Sequence, residues 1–161
     1  MLAALAARPD LWNANDLRTT YPGSPHADVD DIWVMFDDPN GDVVNSLQTH
    51  PYPAWRELPI KDLVLNLMRR VGGTQLGRVI ISRLAPGLSI APHADQGAPA
   101  EFYQRYHLVL QSGPGCVTRS GGEVIQAAAG EVWWFDNRAE HEVINNGADD
   151  RIAVIIDIRV I

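Results

Sequence analysis

The chain of 161 residues has one cysteine, Cys116. No internal disulfide can form, which excludes the small stapled secreted scaffolds and makes a reducing cytoplasm the expected location. No apolar run approaches the ~20 residues that a membrane-spanning helix needs. The opening "MLAALAARPD" is apolar but too short for a signal peptide, lacks a basic start and runs into Arg8-Pro9, so it reads as a short amphipathic helix. Basic residues are scarce, 13 Lys and Arg against 20 Asp and Glu, and the net charge of −7 repels a phosphate backbone. A nucleic-acid partner is therefore not expected, although net charge does not set the charge of any one cleft. Repeats, low-complexity tracts and linkers are missing too. Residues 1–161 thus read as one domain, long enough to build its own core.

What is present has an α-then-β order. Residues 1–75 are helical and loop-rich. "TTYPGSPHADVDD" carries Pro22-Gly23 and Pro25, "IWVMFDD" reads as a strand, and "DPNGD" reads as a turn. A helix then opens near Pro59. Its stripe is Leu63, Val64, Leu67, Met68 and Val71, and it stops at Gly72-Gly73. Residues 76–161 read as strands and turns: "GRVIISRL", "LSIAPH", "RYHLVLQS", "CVTRS", "GGEVIQAAAG", "EVWWFDN", "HEVINNG" and "RIAVIIDIRVI". Short strands between Gly, Pro and Asn turns point to a sandwich or small barrel, with a helix or two on one outer face.

The chemistry-bearing residues lie in that second half. His93 and Asp95 sit one residue apart in "IAPHADQGAP", and His141 opens a later strand. Two imidazoles and a carboxylate on one face of an octahedral ion leave three positions open, the arrangement of non-haem Fe(II) oxygenases. Zinc also binds such groups, and a solvated turn accounts for His-x-Asp equally well. Arg151 opens the last strand and shares a face with Ala153, Ile155 and Asp157. Either it pairs with an acid such as Asp149 or Asp150, or its planar fork receives a carboxylate. Arg105 and His107 point to one side of "RYHLVL", an arrangement that core packing does not explain. Ser82 places a hydroxyl within an apolar alternation, bonded either to backbone or to a ligand.

Taken in order, "ISRLAPG", "PHAD", "RYHLVL", "GEVWWFDNRAEHEVINNG" and "RIAVIIDIR" resemble the aspartyl/asparaginyl β-hydroxylase family of Fe(II)/2-oxoglutarate dioxygenases, over roughly residues 78–159. The resemblance implies a mainly β fold with flanking helices, a double-stranded β-helix or jelly-roll, cupin-like barrel, with the iron inside. It implies that His93, Asp95 and His141 hold Fe(II) and that Arg151 and Ser82 bind the distal carboxylate of 2-oxoglutarate. Arg105 and His107 would lie near the end that chelates the metal. Because Asp95 is present, the chain is similar to the three-ligand members that hydroxylate free amino acids. The implied reaction consumes O2 and 2-oxoglutarate and hydroxylates an unactivated C–H bond of an amino-acid-like small molecule or a peptide side chain. Residues 1–75 would supply a substrate lid. Substrate-contact candidates are Arg18, Tyr21, His26, Trp33, Trp55, Arg119 and Arg138, although His26, like His50, also reads as a surface residue. Trp133, Trp134 and Phe135 either wall the cavity or form plain core. The competing reading is a cupin-like module that binds a metal or small anion without catalysis. A zinc hydrolase lacks an evident general base beside the trio.

Overall fold

The computed structural model describes residues 1–161. Its ten strands form two antiparallel sheets. The first contains β1 (Val29–Phe36), β2 (His50–Pro51), β3 (Gly73–Leu84), β5 (Gln104–Gln111), β8 (Val132–Trp134) and β10 (Arg151–Val160), in the order β2-β1-β3-β10-β5-β8. The second contains β4 (Ser89–His93), β6 (Cys116–Ser120), β7 (Glu123–Ile125) and β9 (His141–Asn145), in the order β4-β9-β6-β7. Five short helices complete the chain: α1 (Leu2–Ala6), α2 (Leu17–Thr20), α3 (Ala54–Glu57), α4 (Lys61–Arg70) and α5 (Ala98–Phe102). No helix is long and apolar enough to cross a membrane.

Strand alternation divides the larger sheet into two faces. Ile32 and Val34 of β1, Val79 and Ile81 of β3, and Ile152, Val154, Ile156 and Ile158 of β10 form one buried cluster. Leu5, Leu11, Ala54, Leu58, Ile60, Val64 and Leu67 from the N-terminal region and α4 complete it, so these segments cover the outer face of that sheet. Each of the Leu, Ile and Val side chains here contributes roughly 1.5–3 kcal/mol by leaving water. Residues one step out of phase, Ser82, Arg105, His107, Arg151 and Ile155, line a cavity on the other face. His93, His141 and Val143 of the smaller sheet line the same cavity, which therefore lies between the sheets. α4 ends at Arg70, and the chain turns away at Gly72 with φ +68°, which glycine adopts freely. Its buried positions are Val64 and Leu67, with Ile60 just before it, while Leu63 faces outward.

The expected double-stranded β-helix barrel is not the architecture found. Each sheet is open, with free edges at β2 and β8 in one and at β4 and β7 in the other, and no ladder joins the two. The edges explain this. β2 has two residues and β7 and β8 have three each, too short to carry a ladder around a curled sheet. The result is a mixed β/α fold of two antiparallel sheets.

Candidate metal centre and adjoining chambers

His93 and His141 are direct cross-strand partners in the β4–β9 ladder, which brings two residues distant in sequence ring to ring, with centroids 4.3 Å apart. Asp95 lies just past the end of β4. There its N–H donates to the backbone carbonyl of Asn137 (2.9 Å), fixing the turn that carries the carboxylate inward. The ligand atoms of His93, Asp95 and His141 all lie within 4.8 Å of one another.

The two histidines are oriented by the same local device. His93 Nδ1 lies 2.8 Å from the carbonyl of Ala91, and His141 Nδ1 lies 3.0 Å from that of Ala139, each two residues back. A carbonyl only accepts, so Nδ1 carries the proton in both rings and each Nε2 keeps a lone pair for an ion. The carboxylate is held as firmly. Asp95 Oδ2 accepts from Arg105 Nη1 (2.7 Å) and from Asn137 Nδ2 (2.8 Å), while Oδ1 lies 3.6 Å from His93 Nε2. Burial alone would raise the Asp95 carboxyl, but Arg105 and then Asn137 outweigh it and hold the group well below the usual carboxylate range. Burial pushes His93 down, toward the neutral form that a metal requires. This donor set, with second partners fixing every ligand, fits a divalent transition metal.

Arg105 uses every nitrogen. Nε and Nη2 donate to the two oxygens of Asp157 on β10 (2.7 and 2.8 Å) and Nη1 donates to Asp95. These carboxylates raise its pKa against the opposing effect of burial. Arg151 differs. It is buried, no carboxylate lies within ion-pair reach, and burial lowers its pKa. The salt bridge to Asp149 or Asp150 does not form. Both ring nitrogens of His107 are buried without partners, and its ring stacks on Phe135 (4.8 Å between centroids). Ser82 is buried on the same cavity wall. One slot, narrow at about 40 Å³, is thus lined by a hydroxyl, an unpartnered imidazole and an unpaired guanidinium, with the three ligands alongside.

A larger chamber of about 570 Å³ adjoins it and shares His93, Asp95, Arg105, Arg18, His26 and Ile155 with the slot. Of the substrate-contact candidates, Arg18, Tyr21 and His26 line it. Trp33 is core instead, stacked on Phe36. Trp55 packs at the edge of the main core, while Arg119 and Arg138 pair with Glu142 and Asp136 outside both chambers. His50 is exposed, but His26 is not a surface residue. Its ring meets His93 edge-on at 4.8 Å, its Nδ1 is buried without a partner, and burial first, then Arg18, pushes its pKa far down. Phe135 reaches the slot, whereas Trp133 and Trp134 are exposed on the edge strand β8. Sequence reasoning missed Asn137 altogether. Its residue type and its place in a polar turn carry no signal of a carboxylate partner.

These features define a candidate His/Asp/His metal site between two antiparallel sheets, and comparison with known proteins supplies the family. The aspartyl/asparaginyl beta-hydroxylase family profile matches residues 51–160, and the chain belongs to that family. L-proline cis-4-hydroxylase of Rhizobium meliloti is 29% identical over 77 residues, 48% of this chain; the chain spans 28% of that protein's length. The crystal structure of a 2OG-Fe(II) oxygenase family oxidoreductase from Burkholderia pseudomallei superposes with a TM-score of 0.61, covering 95% of this chain and 76% of the other at 20% identity. That likeness is one of fold.

Proposed function

We propose that the chain is an Fe(II)- and 2-oxoglutarate-dependent dioxygenase that hydroxylates an unactivated C–H bond of an amino-acid-like small molecule or a peptide side chain. The observation that carries this reading is Arg151, a buried guanidinium with no carboxylate of its own, on the wall of the slot that also holds the metal ligands. A buried unpaired charge is too unfavourable to keep unless a ligand supplies the partner. A dicarboxylate supplies it at one end and reaches the metal with the other.

In this reading His93, Asp95 and His141 hold Fe(II), which activates O2 when bound. Arg151 and Ser82 take the distal carboxylate of 2-oxoglutarate, and neutral His107 offers a ring N–H to its other end. Arg105 and Asn137 keep Asp95 turned toward the ion, and Phe135 excludes water between His107 and His141. Residues 76–161 hold metal and cosubstrate, and the first 75 wall the space over the substrate. The L-proline hydroxylase name of the Rhizobium relative supports a small amino acid as one candidate substrate. A binding module without catalysis leaves Arg151, His107 and Ser82 without a common purpose.

The test is succinate formation from 2-oxoglutarate with Fe(II) and ascorbate, comparing the wild type with His93→Ala and Arg151→Leu. The wild type should produce succinate and His93→Ala should not. Arg151→Leu should weaken 2-oxoglutarate binding at least tenfold while retaining the metal. Equal loss of both ligands in Arg151→Leu would make Arg151 structural and sink the assignment.

A further inference from the structure

The outer chamber is chemically lopsided. Arg18, Arg78 and Arg105 line it with His26 and His93, and Asp95 is the one carboxylate on its wall. The arginines are held from behind. Arg18 donates Nε and Nη2 to the two oxygens of buried Asp31 (2.7 and 2.9 Å), and Arg78 donates Nε to Asp37 (2.5 Å) and Nη2 to the carbonyl of Val43. In each case Nη1 is left without a protein partner. Their acids are occupied outside the chamber, and Asp95 is occupied by Arg105 and Asn137. The charged hydrogen-bonding groups left to the chamber are therefore guanidinium donors, with Tyr21 and Gln96 as neutral polar neighbours. Phe36, Ile80 and Ile155 supply apolar surface to the same wall.

We propose that Arg18, assisted by Arg78, is the specificity-determining residue of the outer chamber and grips a carboxylate of the substrate. The substrate's carbon chain lies on Phe36, Ile80 and Ile155, with one C–H group directed at the triad. This deepens the oxygenase reading and rests on it for the reaction. The acid-binding claim itself stands on the chamber alone. Geometry favours an anion over a neutral amide because a guanidinium fixed by a bidentate carboxylate presents its remaining N–H groups in a rigid plane. A neutral amide offers one acceptor oxygen and no charge, where a carboxylate offers two oxygens and a charge. Arg18, His26 and Phe36 lie before residue 51, outside the stretch matched to the family, whereas Arg78, Ile80 and Ile155 lie inside it.

The carboxylate can be that of a free amino acid or an acidic side chain within a peptide, and the experiment separates the two. The twenty amino acids are titrated calorimetrically under anaerobic conditions as free acids, as α-amides and within N-acetylated peptide amides. Each titration is run with the metal-free chain and with the chain given Fe(II) and 2-oxoglutarate. At least one acid should bind tenfold or more tightly than its amide counterpart. A preference for a free α-carboxylate names the free amino acid, and a preference for an aspartyl or glutamyl peptide amide names the peptide. The double substitution Arg18→Gln with Asp31→Asn, which removes both charges and keeps a hydrogen-bonded pair, should erase the acid preference while Fe(II) is retained. Arg18→Lys, which keeps the charge against Asp31 but loses the fork, should weaken acid binding at least fivefold. Amides binding as well as acids, no acid binding, or unchanged affinity in these variants would overturn the proposal. Failure of 2-oxoglutarate to bind alongside intact acid selectivity would instead count against the oxygenase reading alone.

Discussion

Asn137→Ala tests whether the candidate metal centre is oriented from behind. Asn137 is 5% exposed and meets Asp95 twice, through its backbone carbonyl, which accepts the Asp95 N–H, and through Nδ2, which donates to Oδ2. Alanine keeps the first contact and deletes the second, so the backbone turn survives and one hydrogen bond to a charged acceptor is lost. Such a bond is worth about 1.5–3 kcal/mol. Arg105 remains on the same oxygen, which limits the loss. Outer partners of metal ligands typically change affinity 10–100-fold, or about 1.4–2.8 kcal/mol, and the two ranges agree. Fe(II) affinity, measured anaerobically against a competing chelator, should therefore fall by that factor. The urea midpoint of the metal-free chain is followed in parallel. Affinity within twofold of the wild type would refute the reasoning, as would a loss explained entirely by unfolding.

Two further outcomes follow from the fold and the buried imidazoles. Burial holds His107 well below its ordinary pKa, with Arg151 adding to the effect, so the unfolded chain takes up a proton near pH 6.5 that the folded chain refuses. Stability is therefore fully present above that pH and is lost as the pH falls through it, by about 1.4 kcal/mol per unit for this group. His107→Phe, which retains a ring to stack on Phe135, should make the metal-free stability profile shallower between pH 6.5 and 5 by that share, with buried His26 supplying slope that remains, as read by urea denaturation. Ile156 is fully buried in the main cluster on the face of β10 away from the cavity, so Ile156→Ala should destabilise the chain by about 2–5 kcal/mol and leave Fe(II) affinity nearly unchanged.

The strands of the second half were legible because the pleat forces a choice of face. Ile152, Val154, Ile156 and Ile158 must share one environment, and Arg151, Ile155 and Asp157 the other. Gathering His93, Asp95 and His141 followed from residue type and family order, but the cross-strand register that seats the two histidines opposite one another depends on a ladder that no local pattern encodes. Arg105 was recognisable as an inward charge. Its partners, Asp95 and Asp157, lie 10 and 52 residues away and had to be seen. His26 sits in a Pro-Gly loop that carries the marks of a surface turn, and only tertiary contact sets it against His93. The barrel expectation failed because closure depends on edge strands, and the lengths of β2, β7 and β8 are not written in any periodicity.

The triad is braced by carbonyls, an amide and a guanidinium anchored in the central strand β10, all of them protein groups. This bracing should let the cage keep its shape without an ion, so dialysis against a chelator should empty it without melting the sheets. The same polypeptide then becomes a reversible host. If the proposed oxygenase reading holds, recharging with a redox-silent ion such as Zn(II) would keep the grip on its ligands without oxidising them, leaving an inert decoy with which to fish for the substrate in a cell extract.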